Sequence, residues 1–318
     1  MTAETQTGRL RAFFTNRPIV CVLAGLCCIA WGGPYPGIKR GYELLAVGPD
    51  DITRQLLFAG YRFFIAGIVL LALVLVIHPK AFNIGRRAVG QLFILGLTQT
   101  TLQYVFFYWG MANTSGSRGA VMNGTSTFFA VLLAHFLYRN ERLDFRRAAG
   151  CLIGFAGVML VNIDDRFQIG FSPLGDGNVI LAAFIFSAAS IYGKELSRHM
   201  DAMFMAGAQL TVGGFLLLLP GYCSGVPLGR VTPEVAVVFA ILIAISSFGF
   251  ALWSVLLKYN EVGLISVFSF LTPVAGAVFS ALYLGDSIGN WRFLAALVMV
   301  SAGIILVAKR KVAKAPAK

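Results

Sequence analysis

The chain has 318 residues, of which 58% are apolar and only 13% charged, with 27 phenylalanines and a mean hydropathy of +0.78. Soluble domains average about 25% charged residues, so this composition excludes a protein that covers itself with water-facing side chains. The net charge of +12 needs no nucleic acid, because most of the excess falls in loops on one side of a predicted membrane topology. In chain order ten apolar runs follow: 18–39, 55–77, 91–111, 119–138, 148–163, 177–194, 203–222, 235–258, 263–284 and 292–308. About 20 helical residues span a bilayer core, and the alternation of a membrane β-barrel is missing. The expected class is an all-α, polytopic membrane protein of ten transmembrane helices.

Arg9, Arg11 and Arg17 precede the first run without a small-x-small cleavage site, so that run reads as a retained span rather than a signal peptide. With the N-terminus inside, the ten spans leave eighteen Lys and Arg on the inner side and seven on the outer side. This bias places both termini in the cytoplasm of an inner-membrane protein. The basic tail "KRKVAK" (Lys309–Lys314) suits anionic headgroups.

The first run ends in "WGGPYPGIKRG" (Trp31–Gly41). Pro34 and Pro36 remove backbone donors and break the i→i−4 ladder. Freed carbonyls at membrane depth are tolerated only where protein or a watery cavity covers them. The stretch reads either as a helix frayed at the headgroups or as a broken outer segment forming part of an external gate, with "SAASIYGK" (Ser187–Lys194) as its inner counterpart. Arg62 is a charge inside the second run. It lies near the outer end, where a long side chain can snorkel to the headgroups, and it reads first as a structural residue and second as a ligand contact.

An aromatic face in the third run sets Tyr104, Phe107 and Tyr108 at i, i+3 and i+4. Together with Trp31, Tyr35 and Trp253, and the neutral hydrogen-bonders Gln99, Gln103, Asn123, Ser190 and Thr272, it predicts a solute cavity. Singly, each of these residues fits lipid-facing or helix-packing positions equally well. The acidic residues all lie in loops, tails or span ends, against a buried-carboxylate proton relay. His135 near an inner span end is a titrating group or a packed one. "GCLIG" (Gly150–Gly154) offers a helix-contact face for internal packing or for a homodimer. No G-x-x-x-x-G-K-[ST], H-E-x-x-H or C-x-x-C motif occurs, which argues against nucleotide hydrolysis, metalloprotease and redox chemistry. The five cysteines lack metal-ligand spacing, and no cofactor is expected.

The chain also repeats itself. A shift of 155 lays "AWGGPYPGIKRG" from Ala30 on "IFSAASIYGKEL" from Ile185, so that Trp31 meets Phe186 and Lys39 meets Lys194. A shift of 145 lays "LYRNERLDFRR" on "LYLGDSIGNWR", so that Glu141 meets Asp286 and Arg147 meets Arg292. Each unit holds five spans, an odd number, so the second enters the membrane from the opposite side. The expected organisation is therefore two inverted five-helix repeats: a tail 1–17, a first unit 18–162, an external linker 163–176, a second unit 177–308 and a tail 309–318. Pro34, Pro36, Lys39, Arg62 and Lys194 are assigned gate or structural roles.

Several stretches carry a resemblance. They are "AWGGPYPGIK" in the first run, "YRFFIAG" (Tyr61–Gly67), "RNERLDFRRAAGCLIGFAGVML" (Arg139–Leu160), "FLTPVAGAVFSALYLGDSIG" (Phe270–Gly289) and "SAGIIL" (Ser301–Leu306). In these the sequence resembles the drug/metabolite transporter superfamily, in its EamA-type branch. It departs from the pattern where "TFFAV" (Thr127–Val131) stands in place of the "TPVAG" type, which removes the proline expected to bend span four. The resemblance implies a secondary transporter, not an enzyme, exporting amino acids or related metabolites. It also implies a cavity lined by spans one, three, four, six, eight and nine, which the aromatic lining fits to hydrophobic or aromatic solutes. Partners are then a small solute and the lipid bilayer. The competing readings are export of drug-like or quaternary amines, a lipid-modifying enzyme using Arg62 or Lys39 on a headgroup phosphate, and a channel. The enzyme lacks a nucleophile or acid/base constellation, and the channel lacks a charged ring or filter loop.

Overall fold

The computed structural model describes residues 10–48, 50–114, 116–162, 171–284 and 291–308, and among these it is helical throughout with no strand. All ten apolar runs are helical, but three of them are interrupted. The first divides into α1 (Arg17–Ala30) and α2 (Pro34–Leu45). α3 (Ile52–Ile77) is continuous. The third consists of α4 (Arg86–Gly96), a π-helical segment Leu97–Leu102 and α5 (Gln103–Ala112). α6 (Gly116–Leu137) and α7 (Phe145–Asn162) complete the first half. The second half holds α8 (Asn178–Leu196), α9 (Ala202–Cys223), α10 (Pro233–Tyr259), α11 (Val262–Ser266), a 3₁₀ turn Val267–Phe270, α12 (Leu271–Leu284) and α13 (Trp291–Ala308).

Local chemistry explains these limits. Asp51 caps α3 by accepting the Arg54 N–H at 3.0 Å, and Asp201 caps α9 by accepting from Met203 and Phe204 at 2.9 Å. Such caps satisfy donors that the first helical turn leaves free. Thr232 with Pro233 at the first helical position does the same for α10. Pro34 cannot donate to the Ala30 carbonyl, which instead accepts the Gly33 N–H at 3.0 Å in a tightened turn. The chain then restarts as α2 with Pro34 in its first turn. The expected end of the first span at residue 39 is corrected by this helix, which runs on to a left-handed cap at Ala46. Polar Lys39 and Arg40 are exposed, while Tyr35, Ile38 and Tyr42 share the opposite, inward side. α6 is unbroken, whereas the helical stretch from Val262 to Leu284 is interrupted by the 3₁₀ turn.

Six helical stretches among the described residues are long and apolar enough to cross a bilayer, the first being Arg17–Leu45 and the last Val262–Tyr283. Many large apolar side chains on the outside are exposed, Val76 and Phe145 among them, as a lipid-facing belt requires. The chain is a multi-pass helical membrane protein.

Small residues set the helix crossings. α3 packs along α9, and α7 along α13. A methyl group on Gly67 would overlap Thr211, and one on Gly214 would overlap the backbone of Phe64. In the other pair Gly150 lies against the Gly303 carbonyl, so the G-x-x-x-G face is spent on internal packing. α8 packs on α5 and α6, while α10 and α12 pack on the two halves of the first span. These crossings leave a space at the centre.

Candidate functional site: a central cavity closed at one end

The central space is a cavity of about 570 Å³, within the size range of small-molecule sites. At its deep end are Ser126, Phe186 and Phe250. Toward the ends of α2, α3 and α5 it reaches Tyr42, Gln55 and Thr114. Of the ten residues expected to bind solute, Trp31, Tyr35, Gln103, Tyr104, Tyr108, Asn123 and Thr272 line it. Gln99, Ser190 and Trp253 do not. Gln99 donates to Ser190 at 3.2 Å in a buried contact, and Trp253, 2% exposed, lies beneath Trp31 with ring centroids 5.1 Å apart. These three form the floor rather than the wall.

Trp31 sits where the first span breaks. Its ring lies 5.5 Å from Phe250 and 6.4 Å from Phe186. Gly249 makes room for it, because a side chain there would occupy the position of the indole. The π-helical segment beside α5 adds a residue to the turn. It brings both Gln99 and Gln103 inward, with Gln103 on the wall and its Oε1 without a partner.

Pro34 lines the cavity, whereas Pro36 is buried outside it. Lys39 is exposed on the far side of α2. Arg62 corrects an expectation: it does not snorkel. At 4% exposure its guanidinium points inward, donating from Nε to the Ser246 hydroxyl at 2.8 Å and lying 4.4 Å from the Phe63 ring centroid. The phase of α3 decides this, because position 62 faces α10 and the cavity instead of lipid.

The opposite end is sealed. The Lys194 ammonium, on α8, lies 3.1 Å from the Glu141 carboxylate and donates to the Asn260 carbonyl at 2.6 Å. Glu141, 1% exposed, also accepts the Gly263 N–H at 3.0 Å. Tyr138 lies under the ammonium, its ring centroid 4.9 Å away, and donates to Glu195 at 2.5 Å. Arg147 pairs with Glu261. One ion network therefore ties the α6–α7 loop to the end of α8 and the α10–α11 junction. His135 is part of this loop's packing, its ring nitrogen accepting the Leu143 N–H at 2.9 Å. Asp286, which the 145-residue shift lays on Glu141, lies outside the described residues.

Sequence reasoning missed Tyr42, Gln55 and Thr114 on the wall. Tyr42 had a signal, since it continues the 35, 38, 42 helical face beyond the polar pair at 39–40. Gln55 and Thr114 lie at span ends and carried none. Among the described residues no group of three His, Cys, Asp or Glu could hold a metal.

A multi-pass helical bundle with an aromatic cavity at its centre and one end closed by buried ion pairs defines a membrane transport protein by its architecture. The comparisons give the particular family. Residues 18–163 and 173–309 match the EamA-like transporter family, and the chain belongs to it. It is 26% identical to the "Uncharacterized transporter YoaV" of Bacillus subtilis over 91% of this chain and 97% of that one. It is 25% identical to a "Probable amino-acid metabolite efflux pump" of Escherichia coli over 88% of this chain and 92% of the relative. A solved crystal structure shares the fold with a TM-score of 0.73 at 19% identity, covering 89% of this chain and 94% of the other.

Proposed function

We propose that this family member is a secondary transporter of ten transmembrane helices. It exports small organic metabolites, amino acids and hydrophobic or aromatic ones foremost, by alternating access around the central cavity. The observation that carries the reading is a cavity reaching one face and shut from the other by the Lys194–Glu141 network, the arrangement of a carrier caught with one gate closed. The name of the Escherichia coli relative supports the solute class.

The contacts support two inverted repeats. Numbering the spans one to ten, the pairs two–seven and five–ten map onto themselves when the units exchange. The pairs three–six and four–six map onto eight–one and nine–one. Trp31 and Phe186, equivalent by sequence, meet across that axis. The family match over two successive segments agrees with units at 18–162 and 177–308. Orientation follows the Lys and Arg bias, with both termini cytoplasmic in an inner membrane and the sealed end inside. Arg17 donating to the Ala308 carbonyl at 2.9 Å supports both termini lying on one side. Pro34 and Pro36 then break the outer gate segment, and Lys194 belongs to the inner one.

The test is solute exchange by purified protein in liposomes. Saturable counterflow of an amino acid supports the reading, whereas folded protein that exchanges no solute of any charge class overturns it.

A further inference from the structure

We infer that the cavity takes a solute bearing a carboxylate, and that Arg62 is the residue on which the carboxylate docks. This rests on the carrier reading above and adds the charge class of the substrate to it.

An arginine inside a membrane protein is expensive unless it is paired. Among the described residues Arg62 has no carboxylate within ion-pair distance, and none of the described residues lining the cavity is acidic. Its Nε donates to the Ser246 hydroxyl, and the Tyr104 phenol is a second, neutral hydrogen-bond partner of the guanidinium. Nη1 is buried with no partner. The surrounding groups are the phenols of Tyr42, Tyr104 and Tyr108, which supply hydroxyl donors but no counter-charge. The resting protein thus holds a desolvated cation at the wall of an open cavity, with its outer nitrogens unoccupied by any anion of the chain.

A carboxylate satisfies that arrangement. The guanidinium fork offers two parallel donors matched to its two oxygens, and exclusion of water makes the pairing stronger than at a surface. The cavity carries one positive charge and no second Lys or Arg on its described lining, so it neutralises a monoanion and not a phosphate dianion. Beyond Arg62 the wall is Trp31, Tyr35, Phe107 and Phe250, which takes an apolar or aromatic body. In an amino acid the ammonium has the unpartnered Gln103 Oε1 and the aromatic faces as acceptors. A cationic amine without a carboxylate meets only repulsion from Arg62.

Matched ligands test this on the intact protein in detergent or nanodiscs, with binding read by calorimetry and by intrinsic tryptophan fluorescence. The probes are phenylalanine, 3-phenylpropionate, 3-phenylpropionamide and phenethylamine. The two acids should bind roughly 10- to 100-fold more tightly than the amide, the gain expected of a charged hydrogen-bonded contact, and the amine should bind weakest. Arg62→Gln should erase the preference of acid over amide, and Arg62→Lys should keep part of it. Equal affinity of wild-type protein for the acid and the amide overturns the assignment without need of any variant. So does an Arg62→Gln protein of unchanged melting temperature that keeps the full preference, and so does failure of all four probes to bind. The carrier reading is scored separately. Counterflow of neutral or cationic solutes with no acid preference refutes the role of Arg62 and leaves the carrier intact. Absence of all exchange by folded protein refutes both.

Discussion

Replacing Glu141 by Gln should unlatch the sealed end of the cavity. Glutamine keeps the shape and an oxygen for the Gly263 N–H, now at 3.0 Å from the carboxylate. It removes the charge facing Lys194 at 3.1 Å. The ammonium, 10% exposed, is then left with the Asn260 carbonyl and the Tyr138 ring. Removing one partner of a buried ion pair costs about 3–5 kcal/mol because the other charge stays desolvated. Opening the inner end hydrates Lys194, so most of that cost falls on the closed conformation. The closed-to-open ratio should drop by about two to three orders of magnitude, at about 1.4 kcal/mol per tenfold. A cysteine introduced at Ser190, on the floor, reports the change through labelling by an impermeant maleimide from the cytoplasmic side. Glu141→Gln should label much faster, while the double variant Glu141→Gln, Lys194→Met should return toward the parent rate. Unchanged labelling in the single variant, or equally fast labelling in both, refutes the latch.

Four further outcomes follow from the packing. Pro34→Ala with Pro36→Ala restores two donors to the first span and should straighten it, leaving expression near normal and solute flux well below wild type; wild-type flux means the break is only a structural turn. Tyr108→Ala should weaken solute binding by about two- to tenfold, as loss of one aromatic contact of about 0.5–1.5 kcal/mol does; unchanged binding would remove Tyr108 from the solute's wall. Trp253→Ala should act on stability first, lowering it by about 3–5 kcal/mol as for other buried tryptophans, since the ring is packed under the cavity rather than on it. Gly67→Leu should prevent α3 from seating on Thr211 of α9 and abolish recovery of folded protein; a normal yield of monodisperse protein would contradict the close crossing.

The legible parts of this protein are those encoded in local chemistry. The break after Ala30 follows from two prolines without amide protons, and the seam along α7 follows from the glycines of "GCLIG". The aromatic wall of α5 follows from helical spacing. What sequence could not give is set by helix phase and by distance along the chain. Arg62 sits at a depth from which it can reach either headgroups or the centre, and only the packing of α3 against α10 turns it inward. Lys194 and Glu141 are 53 residues apart, and the peptide N–H of Gly263 that completes their network is invisible in composition. Trp253 and Tyr108 look alike as buried aromatics, yet one is floor and the other wall. The π-helical turn at Leu97–Leu102 has no proline or glycine to announce it, and it brings both Gln99 and Gln103 inward, one to the floor and one to the wall.

The central claim is that the cavity is the path of a carried solute. Counterflow in proteoliposomes, run against amino acids, quaternary amines and nucleosides and repeated with a proton ionophore, tests it most directly. Accumulation of a labelled amino acid against its unlabelled counterpart, surviving the ionophore, is the predicted result. Folded protein that exchanges no member of the panel would contradict the account.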